Sequence, residues 1–295
     1  MRVAVDAHHH LWTLTGRNYP WIRERIDAPG MRAIARDFDA AEFRQVLARH
    51  GVERSVLVQG EPTVAETDEM LAIARQHGFI AGVVGWIDLE ASDAVPEVAR
   101  RAGDPLFKGL RLWLLRNADP MWILRETQTE GLKAVENTGL CVDALLRPQH
   151  VGNLLTALDR HPALRVVVCH GAKPVPTEWT PSDADFQDWA RGMKALARRG
   201  CFMKLSGIMT ESGPDWRPAD VKPYVDVILD AFGPERTMWG SDWPVINRAG
   251  DYAGWLEAIE ALTADLPVPE KARLFGGTAA EFYRLDQPAS SFASA

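Results

Sequence analysis

Eight short apolar runs recur along this 295-residue chain, and they constrain the fold more than any other feature of the sequence. Each run is rich in β-branched or other apolar residues, which is typical of a buried strand. The runs cover residues 2–10, 54–60, 80–89, 107–115, 140–146, 165–171, 201–207 and 236–242. Segments with the apolar periodicity of a helix lie between several of them, at 39–51, 65–78, 185–200 and 220–233.

Strands that alternate with helices predict βαβ units and a parallel sheet. Eight such units match a (β/α)8 barrel, whose usual size is about 250 residues. We therefore predict an α/β fold with one (β/α)8 TIM barrel over residues 1–286, followed by a disordered tail at 287–295. A doubly wound open sheet is the alternative, but no GxGxxG follows the first run and no GxxxxGK[ST] occurs.

Composition excludes several classes of protein. The chain is 46% hydrophobic and 25% charged, which is typical of a globular protein with a large core. Its formal net charge of -7 and the lack of a basic run predict no nucleic-acid partner. No apolar stretch approaches the roughly 20 residues of a membrane helix, and no signal-peptide pattern is present, so we expect a cytoplasmic protein without a membrane partner. Its oligomeric state stays open.

The cysteines fit the same cytoplasmic interpretation. There are three, an odd number, and they are widely spaced within apolar runs. That pattern fits neither a disulfide framework nor a zinc ribbon. We expect Cys141, Cys169 and Cys201 to be reduced core residues.

Polar side chains follow most of the predicted strands at the point where each strand ends. In barrel enzymes the chemistry takes place at this C-terminal end of the strands. The residues concerned are Asp6 and the histidines on strand 1, Arg111 on strand 4, Asp143 on strand 5, His170 on strand 6, Lys204 and Ser206 on strand 7, and Asp242 on strand 8. We expect them to converge on one rim of the barrel, and Lys204 and Ser206 either contact substrate or form hydrogen bonds inside the barrel.

The three consecutive histidines of strand 1 are not equivalent. Side chains alternate across a strand, so His8 and His10 share one face and His9 points to the surrounding helices. By the same alternation we expect Asp6 to share the face of His8 and His10. Two imidazoles about 7 Å apart can converge on one ion or one substrate oxygen. The alternative is a polar rim in which the histidines only bond each other and water.

Further polar and aromatic residues near the strand ends are candidates for substrate contact. Arg111 and Lys173 can hold a carbonyl, a ring hydroxyl or the carboxylate of a product. Arg111 can instead form a buried ion pair with Asp143, and His150 can either reach the site or only begin the next helix. The candidate substrate-binding residues are Arg111, Lys173, Trp113, Asp143, His150 and Trp12.

Seven short segments, in order along nearly the whole chain, resemble the amidohydrolase superfamily. Within it they are similar to the lactonases that act on sugar-acid lactones such as those of L-fuconate and L-rhamnonate. The segments are DAHHHLW (6–12), YPWI (19–22), FKGLR (107–111), CHGAKP (169–174), KLSGIMTE (204–211), MWGSDWPV (238–245) and FGGTAAEFY (275–283).

This resemblance implies a distorted TIM barrel in which His8, His10, His170 and Asp242 surround the scissile ester as the catalytic residues. The same four residues would hold a single divalent metal, with zinc the expected ion. Strand 4 offers Arg111 and strand 5 offers Asp143 where metal-dependent members carry further ligands. A binuclear centre is therefore not expected, and two alternatives stay open: a single zinc ion, or no required metal.

The predicted function is a hydrolase that opens a small sugar-acid 1,4- or 1,5-lactone by attack of water, assisted by Asp242 as general base. Asp242 could instead cap the turn that follows it. Two other enzymes remain as alternatives: a metal-dependent decarboxylase of the same superfamily, and a hydrolase for 4-sulfomuconolactone or pyrone-type lactones. A sugar-acid-binding protein without activity is the alternative from another class.

Overall fold

A computed structural model describes residues 4–15 and 19–285 of the chain. Eight strands form one parallel sheet in the order β1 to β8, so every strand pairs with its neighbour in sequence. The strands are Val5–His9, Arg54–Val58, Ile80–Gly85, Phe107–Trp113, Cys141–Leu145, Arg165–Val168, Phe202–Leu205 and Thr237–Trp239. A parallel bridge between His9 and Trp243 joins β1 to the segment after β8. The predicted (β/α)8 barrel is therefore confirmed.

Twelve α-helices, α1 to α12, lie between or after the strands in the described residues. They span Pro20–Arg23, Ala40–Arg49, Val64–Gln76, Ala94–Ala102, Glu126–Thr138, Val151–Arg160, Ala184–Arg198, Met209–Ser212, Pro218–Phe232, Tyr252–Leu262, Val268–Ala272 and Thr278–Phe282. The four helices predicted from periodicity agree with α2, α3, α7 and α9 to within two residues at each end. The predicted domain 1–286 and tail 287–295 extend beyond the described residues, so those bounds stay predictions.

Two apolar clusters stabilise the barrel. The larger one packs the outer face of the strands against the helices, and the smaller one contains the alternate, inward-facing residues of six strands. Ala279, Phe282 and Tyr283 belong to the inner cluster, so α12 and the residue after it close one end of the barrel. All three cysteines are free and buried, as expected. No α-helix in the described part of the chain has the length and apolar character needed to span a membrane.

The barrel is distorted at β1. The pairing of β1 with β2 shifts register between Asp6 and His9, so strict alternation fails there. Val5 and Ala7 join the inner cluster, whereas Asp6 Oδ1 accepts hydrogen bonds from the main-chain N–H groups of His8 and Ser241. The prediction that Asp6 shares the face of His8 and His10 is therefore wrong. His9 does face the helices, where its ring stacks on Phe43 at 4.1 Å.

Candidate active site

A cleft opens at the C-terminal ends of the strands, which is the usual position of the active site in a barrel enzyme. His10 reaches the cleft from the end of β1, Arg111 from β4, His170 from the turn after β6 and Asp242 from the turn after β8. The structure thus brings together residues separated by more than 200 positions in sequence.

Three imidazoles surround one carboxylate oxygen at the floor of the cleft. Asp242 Oδ1 lies 3.4 Å from His10 Nε2, 3.7 Å from His8 Nε2 and 3.8 Å from His170 Nε2. All four side chains are buried. The four residues predicted as catalytic therefore form one compact cluster.

The backbone at this cluster adopts conformations that ordinary residues rarely use. His170 has φ 57° and Asp242 has φ 59°, both in the left-handed region. Gly207, after β7, has φ 58°, and a Cβ there would lie 2.6 Å from His170 Nδ1 and 2.9 Å from Asp242 Oδ2. Glycine at 207 is therefore what lets the two side chains approach each other.

Hydrogen bonds determine which imidazole nitrogen carries the proton. His10 Nδ1 lies 2.7 Å from the Val58 carbonyl oxygen, which can only accept. Nδ1 of a neutral His10 therefore holds the proton, and Nε2 presents a lone pair to the cleft. Since Asp242 Oδ1 is buried and has no hydrogen-bond partner, two lone pairs face each other across 3.4 Å.

Lys204 keeps the proton of His8 on Nε2, whereas His10 carries its proton on Nδ1. The buried Lys204 ammonium donates to Asp143 Oδ2 at 2.6 Å and to the Ala7 carbonyl at 2.8 Å, and its third N–H faces His8 Nδ1 at 3.1 Å. His8 Nδ1 then accepts, and its Nε2–H points toward His10 Nε2, 3.2 Å away. Lys204 thus forms interior hydrogen bonds, the second of the two roles considered for it.

Arg111 and Ser206 orient His170. Arg111 Nη1 donates to the Gln59 carbonyl at 2.9 Å, and Nη2 lies 3.3 Å from His170 Nε2. A guanidinium only donates, so His170 Nε2 accepts and Nδ1–H donates to Ser206 Oγ at 2.9 Å.

Burial controls the charge of this cluster. Desolvation lowers the pKa of His8, His10 and His170 below the usual value of 6.5, so all three are neutral imidazoles at pH 7. Burial alone would raise the pKa of Asp242, but the positive charge of Lys173 lowers it, and the net shift is below the usual range. The floor of the cleft therefore carries one carboxylate among neutral rings.

Lys173 and Trp113 also line the cleft. Lys173 Nζ and Arg147 Nη2 both contact the Glu211 carboxylate, at 2.7 and 3.1 Å. Burial raises the pKa of Glu211, but these two cations more than offset it and lower the pKa to about 2. The Arg111 Cζ atom lies over the Trp113 ring, 5.4 Å from the ring centroid.

Three predicted substrate-binding residues lie outside the cleft lining. Asp143 is inside the barrel, held by Lys204 and the Tyr283 hydroxyl, and it does not pair with Arg111 although the two are register partners on β4 and β5. Trp12 packs among aromatic rings and donates to the Arg36 carbonyl. His150 accepts from the Arg147 N–H at the start of a helix. Substrate contact by these three residues stays a prediction.

Sequence reasoning missed several cleft residues. They are Arg25, Arg116, Glu211 and Arg248, although Glu211 lies within a segment that carried the family resemblance. All four lie on segments that follow a strand, namely β1, β4, β7 and β8. That position was the available signal, since the βα connections form the functional rim of a barrel.

The residues at the floor fit one divalent metal ion. The donor atoms of His8, His10 and Asp242 lie within 4.8 Å of one another, and Asp242 Oδ1 is buried without a partner. His10 Nε2 and Asp242 Oδ1 present lone pairs, as ligation requires. His8 Nε2 becomes a ligand only in its other tautomer, because Lys204 faces its Nδ1. A second ion beside His170 would meet the Arg111 guanidinium.

Comparison with known proteins agrees with this geometry. An amidohydrolase family model matches residues 5–285. The chain belongs to the amidohydrolase family. An L-fucono-1,5-lactonase of Burkholderia ambifaria is 40% identical over 98% of both chains. One of Burkholderia multivorans is 31% identical over 97% of this chain and 98% of its own. A crystal structure of a B. multivorans amidohydrolase with bound zinc is 30% identical, covers 96% of this chain and 99% of that one, and has a TM-score of 0.87. The predicted family is confirmed.

Proposed function

We propose that this amidohydrolase opens the ring of a sugar-acid 1,4- or 1,5-lactone by adding water, with Asp242 as the general base. The observation that carries the proposal is the buried Asp242 Oδ1, which lacks a hydrogen-bond partner and lies 3.4 Å from His10 Nε2. A buried carboxylate oxygen without a partner at the floor of a cleft suits a water molecule that donates a proton to it. The two lactonases of Burkholderia support the substrate class by their sequence similarity.

Water attack needs a base that is ionised and correctly placed. Because its pKa is held low, Asp242 is a carboxylate at every working pH, and its position compensates for its modest basicity. Asp242 Oδ1 accepts one proton as the water oxygen bonds to the lactone carbonyl carbon. The same proton then passes to the ring oxygen as the carbon–oxygen bond of the ring breaks, which yields the hydroxy acid.

The carbonyl oxygen becomes negative in the transition state and needs donors. The Arg111 guanidinium lines the cleft and its Nε is buried with no partner, so it is the donor for this oxygen. Removal of one such donor usually costs about 10²–10³ in rate. If a zinc ion is bound by His10, Asp242 and His8, it supplies further polarisation of the carbonyl and lowers the pKa of the water.

Trp113 is the surface on which the sugar ring rests. Its indole is half-buried at the cleft wall, and the apolar face of a sugar stacks well on such a ring. Lys173, held by Glu211, lies where it can donate to a ring hydroxyl. These contacts orient the ester toward Asp242.

A panel of aldono-1,4- and 1,5-lactones, assayed with a pH indicator, tests the proposal. We expect acid release with at least one sugar configuration. Parallel reactions with a chelator determine whether a metal is needed. Decarboxylation of an aromatic acid would instead consume protons and release CO₂, so that result, or binding without turnover of any lactone, would refute the proposal in favour of its alternatives.

A further inference from the structure

The cleft is strongly cationic although the chain as a whole is acidic. The chain has 33 Lys and Arg against 40 Asp and Glu. Among the residues that line the cleft the balance reverses, with two acidic side chains, Glu211 and Asp242, and six basic ones. The basic residues are Arg25, Arg111, Arg116, Arg147, Lys173 and Arg248. Such a reversal of sign concentrates anions at the cleft.

Half of these cations already have partners inside the protein. Lys173 and Arg147 share the Glu211 carboxylate. Arg111 donates to the Gln59 carbonyl and faces His170 at the floor. The partners of these three cations within the protein therefore account for their presence in the cleft.

The other three basic residues have no such partner. Within residues 4–15 and 19–285, no carboxylate oxygen lies within 4 Å of the guanidinium nitrogens of Arg25, Arg116 or Arg248. Arg248 Nε is buried and makes no hydrogen bond. Arg116 lies against two indoles, 5.1 Å from the Trp113 centroid and 5.7 Å from that of Trp21. A buried guanidinium nitrogen such as Arg248 Nε is costly to leave without a partner, and a bound anion would supply one.

Arg25 acts on both of the other guanidinium groups. Partial burial is the main cause that lowers the pKa of Arg116 and Arg248; the carboxylates of Glu61 and Glu211, respectively, oppose this shift, and the charge of Arg25 adds to it. Arg116 comes from the turn after β4, Arg248 from the turn after β8, and Arg25 from the connection after β1. Three separate connections thus bring three positive charges together at the cleft. The barrel fold itself does not require charged residues there.

The charges lie at the mouth and not at the reacting floor. Arg111 is only 4% exposed, whereas Arg25 and Arg116 are exposed and Arg248 is half-buried. Hydrolysis of any lactone creates a carboxylate at the former carbonyl carbon, next to Asp242. That carboxylate faces Arg111, so it does not account for the three arginines farther out.

We propose that the substrate is a lactone with a second, negatively charged group, which Arg25, Arg116 and Arg248 bind at the mouth while the ester lies against Asp242. The group is a carboxylate, as in an aldarolactone, or a phosphate ester, as in a phosphorylated aldonolactone, and both pair with guanidinium groups through charge-assisted hydrogen bonds. This inference rests on the proposed lactonase function and narrows its substrate class.

Matched substrates test the inference. For several sugar configurations, kcat/KM is measured on the neutral aldonolactone, the aldarolactone of the same configuration and the aldonolactone 6-phosphate. We expect kcat/KM to be at least about tenfold higher for one of the two anionic forms, mainly through KM. Preference for the carboxylate or for the phosphate identifies the group. Equal or better turnover of the neutral lactone overturns the inference.

Arginine variants then locate the binding group. Arg116→Gln and Arg248→Gln should each reduce the ratio of anionic to neutral kcat/KM by about tenfold or more. Arg49→Gln, an exposed arginine outside the cleft lining, is the matched control and should leave the ratio unchanged. A ratio that is unaffected in both cleft variants would place the anion elsewhere and overturn the inference.

Equilibrium binding separates this inference from the lactonase proposal. Calorimetry with the open-chain aldarate and aldonate of one configuration needs no turnover. We expect the wild-type protein to bind the dicarboxylate at least about tenfold more tightly, and Arg116→Gln to abolish the difference. If no lactone is hydrolysed but this preference is found, the lactonase proposal fails and the anion site stands. If lactones are hydrolysed without the preference, the anion site fails alone.

Discussion

A single methyl group at Gly207 tests whether the floor of the cleft must be as tightly packed as the structure has it. The Cβ of Gly207→Ala would lie 2.6 Å from His170 Nδ1 and 2.9 Å from Asp242 Oδ2, whereas ordinary contact begins at 3.4 Å. His170 must therefore move by about 0.8 Å and Asp242 by about 0.5 Å to restore ordinary contact. Since a misplacement of about 1 Å can cost 10²-fold in rate, we expect kcat to fall by about 10- to 100-fold.

Backbone strain contributes separately to the same variant. Gly207 has φ 58°, and alanine in the left-handed region costs about 1 kcal/mol of stability. Gly51→Ala is the matched control, because Gly51 has φ 66° and nothing within 4 Å of its Cβ position. It should show a similar loss in urea unfolding but unchanged kcat on a lactone, measured with a pH indicator. A Gly207→Ala protein with wild-type kcat would refute the assignment of His170 and Asp242 to the reacting floor.

Two further predictions concern buried charges. Lys204→Met leaves the Asp143 carboxylate buried with only the Tyr283 hydroxyl and the Cys169 thiol as partners, so urea unfolding should show a loss of about 3–5 kcal/mol. Lys204→Met/Asp143→Asn should recover part of that loss, and a double variant less stable than the single one would contradict the pairing. The lowered pKa of Glu211 means that its ion pairs stabilise the protein above pH 4.5 and that this contribution is lost as the pH falls through about 2. Glu211→Gln should thus unfold more easily than wild type at pH 7, by a difference that shrinks below pH 4.5; a difference independent of pH would contradict the lowered pKa.

The fold was predictable because it depends on a pattern repeated eight times. Each β-branched run and each amphipathic helix is a local signal, and their alternation leaves few architectures open. The strand ends were less predictable: the run 165–171 forms a strand only to Val168, because His170, Gly171 and Ala172 take left-handed backbone. That departure from the sheet is what turns His170 into the cleft.

The residues at the floor of the cleft could be predicted because each lies at the end of a predicted strand. His8, His10, His170 and Asp242 follow strands and match the family segments. The failure at Asp6 has a local cause, the register shift in β1 that alternation cannot reveal.

The partners of the polar residues inside the barrel depend on contacts between distant parts of the chain. Asp143 pairs with Lys204, 61 positions away, and not with its register partner on β4. No local pattern encodes that choice. The catalytic roles, the metal, the cytoplasmic location and the lack of a nucleic-acid partner stay predictions.

The most direct test of Asp242 as the general base is the kcat of Asp242→Asn on a lactone that the wild-type protein hydrolyses. The amide keeps the size of the side chain but cannot accept the proton of water at neutral pH. We predict a fall in kcat of about 10²–10⁴ with circular dichroism unchanged. A folded Asp242→Asn protein with kcat near that of wild type would contradict the role of Asp242.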